Sequence, residues 1–100
     1  MADFKASLDS AEDAIVQAVP AIVRRHRAAG VLTWKLLHQI ESEVLADVAA
    51  TGLHSPQLLG MLRSSEHMGY PKDDSEVSLK GHEVVPVVFG EVVRVWSRVD

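Results

Sequence analysis

Residues 52–70 read GLHSPQLLGMLRSSEHMGY, and how they fold decides the rest of the chain. Gly52 suits the position where a preceding helix stops. Ser55 offers an N-cap hydroxyl, and Pro56 falls at the first helical position, where a missing N–H costs nothing. The stretch therefore predicts a short helix from Pro56 to about His67, with Gly69 as its stop. Leu58 and Leu62, four residues apart, mark its inward side. Leu59, Gly60 and Met61 are left on the outward side.

Upstream, Thr33 can cap a helix reaching about Thr51. Its apolar side is Leu36, Leu37, Ile40, Val44, Leu45 and Val48, and Lys35, Gln39, Glu43 and Asp47 share the opposite side at steps of four. Before it, Phe4, Leu8, Ala11, Ile15, Val19 and Ile22 form one apolar stripe. That stripe predicts an N-terminal helix within residues 1–30, kinked or broken at Pro20 and stopped at Gly30. Downstream, 69–80 is polar and rich in turn formers, and Glu76, Val77, Ser78 and Leu79 alternate as in a short strand. Residues 81–100 favour strand by their valines. Val85, Val88, Val92, Trp96 and Val99, however, step by three and four, so a C-terminal helix is expected.

Composition bounds the function. One hundred residues make one domain. With no cysteine, disulfides, thiol catalysis and thiolate metal sites are excluded. No apolar run reaches the ~18 residues of a membrane span, and the N-terminus has no basic-then-apolar signal pattern. A soluble cytoplasmic protein is expected. The net charge of −4 leaves no broad basic footprint for nucleic acid, so any DNA-binding face has to be small.

Two helices joined at Gly52-Leu53 and followed by a polar hairpin resemble the small winged helix-turn-helix regulators of the ArsR and MarR kind. LADVAATGLHSPQLLGMLRSSEHMGY has their rhythm: Gly52 looks like the turn glycine, Leu58 and Leu62 like inward recognition-helix positions, and Gly69 like the glycine before the wing. VSLKGHEVVPVV, with Val77, Ser78, Leu79, Gly81 and Pro86, is similar to their strand-to-helix step after the wing. The likeness covers about residues 33–90. It implies a mainly α fold: a winged helix-turn-helix centre over 33–80 with a short β-hairpin wing, flanked by the two terminal helices. It also implies DNA-binding transcriptional regulation, with the double-stranded DNA contacts left to His54, Ser55, Gln57, Arg63 and Ser64, and to Lys72 from the wing.

The departures point elsewhere. Val48 stands where a small residue is usual, four before the turn glycine. Base edges are read by hydrogen-bonding side chains, yet Leu59, Gly60 and Met61 are apolar. An exposed apolar patch marks an interface. The alternative is thus a non-enzymatic module that docks on a protein partner and inhibits or modulates a nucleic-acid-handling complex. In either case the long stripes of the terminal helices suggest a homodimer, since one chain of this size is short to cover both.

Other polar clusters read as structural. RRHR at 24–27 complements the negative end of the first helix. HEVVP at 82–86 lacks the second histidine of a zinc-protease helix. The five histidines have no partner at helical spacing, SSEH at 64–67 lacks a nucleophile elbow, and Asp73-Asp74 is turn chemistry. Trp34 and Trp96 read as packing. No cofactor, metal or catalytic group is expected.

Overall fold

The structure, a computed structural model, describes residues 3–63, 69–77 and 87–98. Helix α1 is Asp3–His26, continued by a 3-10 turn at Arg27–Ala29. Helix α2 is Trp34–Ala49, α3 is Pro56–Met61 and α4 is Val88–Arg98. The helices α1, α2 and α4 pack on one another, and α3 sits against α1 and α2.

The α1 stripe buries Ala11, Ile15, Val19, Ile22 and Val23. Helix α1 runs through Pro20 without a break. The bond that proline cannot make would fall on the carbonyl of Val16, an exposed residue, where water can serve it. Gly30, at φ 86°, ends the 3-10 turn in a conformation that favours glycine. From α4, Val88, Phe89, Val92, Val95 and Trp96 enter the same core. Phe89 stands among Trp34, His38 and Tyr70, with ring centroids 5.1–6.1 Å away. Arg27 lies over Trp96 at 5.0 Å, a cation–π contact. Among the described residues, the stripe positions of α1 from Ala11 to Val23 and of α4 from Val88 to Trp96 are covered inside one chain, while Phe4 at the start of the α1 stripe is left exposed.

The expected winged centre is corrected. Among the described residues there are four α-helices and no strand; the only pairing outside them is one antiparallel bridge, Thr33 with Glu76. Among the described residues, the segment 73–77 pairs with the start of α2, which takes up its backbone groups, and with no second ribbon. Trp34 N–H donates to the Ser75 carbonyl at 2.9 Å and Lys35 N–H to the Asp73 carbonyl at 2.8 Å, while Val77 N–H donates to the Leu32 carbonyl at 2.8 Å. The Thr33 hydroxyl accepts from Leu36 N–H at 3.1 Å. The first N–H groups of a helix have no partner of their own, and the supposed wing supplies two of them. Residues 78–80, the rest of the expected strand, and 81–86 lie outside the described residues.

Helix α3 also departs from expectation. It stops at Met61, with Leu62 as its C-cap, instead of reaching His67, which lies outside the described residues. Leu58 and Leu62 point inward as expected. Leu59 does too, at 5% exposure, because α2 covers that side of α3.

Candidate protein-docking groove

The turn between α2 and α3 is locked by its own side chains. The Thr51 hydroxyl donates to the Val48 carbonyl at 2.8 Å and accepts from Leu53 N–H at 3.2 Å. Gly52 takes φ 73°, which a side chain rarely permits. Leu53 is thereby held out in solvent, 78% exposed. Ser55 then caps α3, accepting from Leu58 N–H at 3.1 Å.

Leu53 is one wall of a groove of about 500 Å³ between the first turns of α1 and the outer side of α3. Phe4, Ala6, Ser7 and Ser10 line it from α1; Ser55, Leu58 and Met61 line it from the N-cap and body of α3, with His54 between. Phe4 is 58% and Met61 60% exposed, so three of the five large exposed apolar residues among the described residues meet here. A second, smaller groove of about 270 Å³ runs between α2 and α3, with Ala46, Ala49, Leu59 and Gly60 in its lining.

Of the described residues expected to contact DNA, His54, Ser55 and Gln57 lie at the start of α3. Gln57 is exposed on α3. Ser55 is occupied as a cap, and His54 belongs to the apolar groove. Arg63 turns inward, its Nη1 3.8 Å from Oε1 of the buried Glu41. Lys72 follows Pro71, whose carbonyl accepts a 2.7 Å hydrogen bond from Nε2 of His38. His38 lies about 17 Å of helix axis from the end of α2 where α3 begins, so Lys72 and the start of α3 sit at opposite ends of that helix. Ser64 lies outside the described residues.

Of the expected protein-interface residues, Met61 and Gly60 are exposed and Leu59 is core. Sequence reasoning placed Phe4 in the core stripe and read Leu53 only as the residue after the turn. The available signal was that Leu53 belongs to no helical stripe yet is large and apolar. Among the described residues, no group of three or more His, Asp or Glu side chains is placed to hold a metal ion, and no helix is long and apolar enough to cross a membrane.

Residues 2–100 match the family model described as "Protein of unknown function (DUF2471)", and the chain belongs to that family. No curated protein and no solved structure matches it.

Proposed function

We propose that this chain is a non-enzymatic interaction module that binds another protein through the groove of Phe4, Leu53 and Met61. The observation that carries the reading is the convergence of those three exposed side chains around one concave surface. Clustered exposed apolar surface is costly to leave in water and characteristic of contact sites. Duplex DNA asks for the opposite surface, donors and cations set to reach base edges and phosphates. Here Arg63 faces Glu41 and Lys72 lies toward the far end of α2.

The test places a photo-crosslinking residue at position 61 or 53 in cells, with position 35 on the exposed side of α2 as control. The same partner should be trapped from 61 and 53 and not from 35. Met61→Glu should abolish that complex while leaving the thermal melt unchanged. A partner retained by Met61→Glu counts against the groove. Specific retention of a DNA duplex at ~50 mM salt, weakened by Gln57→Ala and indifferent to Met61→Glu, would return the assignment to a DNA-binding regulator.

A further inference from the structure

We infer, resting on the docking reading above, that the occupant of the groove is a cationic amphipathic helix of another protein. It would carry apolar side chains every third or fourth residue and Lys or Arg at its margins. One wall is helix α1, the other is the turn at 53–55 with Leu58 and Met61 of α3, and no strand edge lies among the described residues. A guest therefore finds no ladder of free N–H and C=O groups to pair with, as it would in strand addition. It must satisfy its own backbone, and a helix laid into a groove does so.

On the α1 side, residues 4–13 carry three carboxylates, Asp9, Glu12 and Asp13, against one ammonium. That ammonium, Lys5, is engaged with Asp9 at 3.5 Å. Asp9 adjoins the lining residue Ser10, and Asp13 lies one turn further on. On the other side, 52–61 contains no Lys, Arg, Asp or Glu. The nearest cation in sequence, Arg63, is turned to Glu41. The net charge of −4 extends the same sign over the molecule. No charged side chain lines the groove itself; Asp13, one turn beyond Ser10, and the net charge of −4 give its surroundings an acidic sign, which complements an apolar stripe with a basic margin and favours its approach.

A second copy of this chain is a poorer occupant. Among the described residues, the apolar stripes of its own α1, α2 and α4 are buried within the monomer apart from Phe4, which already lines the groove. Its exposed basic pair, Arg24 and Arg25, is not flanked by a free apolar stripe.

The probe is a labelled Leu/Lys amphipathic peptide of about 16 residues, long enough to hold a helix. It is titrated into the full-length protein by fluorescence anisotropy, with amide chemical shifts locating the contact. A Leu/Glu peptide of the same pattern is the comparison. The Leu/Lys peptide should shift residues 4–10 and 53–61. Leu53→Gln with Met61→Gln should weaken it at least about tenfold. Asp9→Asn with Asp13→Asn, which leaves the apolar walls intact, should weaken it about threefold or more and flatten its salt dependence.

Equal binding of the Leu/Glu peptide in the same groove overturns the cationic guest and leaves docking standing. Crosslinked partners through residue 61, with neither peptide shifting the groove, overturn the helical guest alone. Loss of both the crosslinks and the shifts takes down the docking reading as well. A dimer in sedimentation that Leu53→Gln dissolves would assign the groove to a second copy instead.

Discussion

Nη1 of Arg63 stands 3.8 Å from Oε1 of Glu41, a carboxylate with no exposed surface inside a helical core. A charge taken out of water needs partners, and removing one of them raises the cost of keeping it buried. Arg63 is about a third exposed, so the loss should be less than for a fully dry pair. Arg63→Ala is expected to cost about 1–3 kcal/mol in urea unfolding, with Arg63→Lys intermediate. An Arg63→Ala protein as stable as its parent would mean that the arginine is free for a ligand after all.

The start of α2 supports a second prediction. Thr33 serves Leu36, while the carbonyls of Ser75 and Asp73 serve Trp34 and Lys35. Hydrogen exchange should show the amides of residues 34–36 protected as strongly as those of the next turn. Thr33→Ala should release Leu36 alone and cost about 1 kcal/mol. Fast exchange at Trp34 and Lys35 in the parent protein would show that the 73–77 clasp does not hold in solution.

Acid sensitivity follows from Glu43. Its carboxyl is held below the usual carboxylate range, first by the 2.9 Å hydrogen bond with His26. Burial opposes the shift, and the Gln39 amide and the charges of His26 and Arg25 reinforce it. A depressed folded pKa adds stability above the unfolded value, about 4.3, and loses it as pH falls through the folded value. Both side chains are partly exposed, so the contribution is under about 1 kcal/mol. Carboxyl carbon shifts should place Glu43 below the ordinary midpoint, and His26→Ala should bring it back up. Asp73, held low by the Ser75 hydroxyl and then by the Ser75 amide, should rise in Ser75→Ala. A Glu43 that titrates at the ordinary value, unmoved by His26→Ala, refutes the pairing.

Helix starts and long stripes were legible in the residues. Thr33, Ser55 and Pro56 act as the capping rules require, and Ile15, Val19, Ile40, Val44, Val88 and Val92 are core as their periodicity says. Periodicity gives the apolar face of a helix but not what covers it. Phe4 continues the α1 stripe in register, yet lies one turn beyond Leu8, past the packed part. The clasp was illegible for a related reason. Alternation in 76–79 reports a backbone ready to pair, and for Glu76 and Val77 the partner is the chain leading into α2, far away in sequence. A helix of six residues wedged between two longer ones has two covered sides, so Leu58 and Leu59 are both buried and a simple inward–outward rule fails.

That last point yields the sharpest contrast between neighbouring leucines. Leu59 is 5% exposed on α3, whereas Leu53 projects from the turn ahead of it. Leu59→Ser removes a packed side chain and places a hydroxyl in its site, and should cost about 2–5 kcal/mol. Leu53→Ser removes surface that already meets water and should change stability by less than about 0.5 kcal/mol. Paired urea curves on the two variants decide the orientation of α3. If Leu53→Ser proves the costlier change, α3 is rotated relative to this structure, Leu59 faces solvent, and the groove of Phe4, Leu53 and Met61 is not the surface that partners meet.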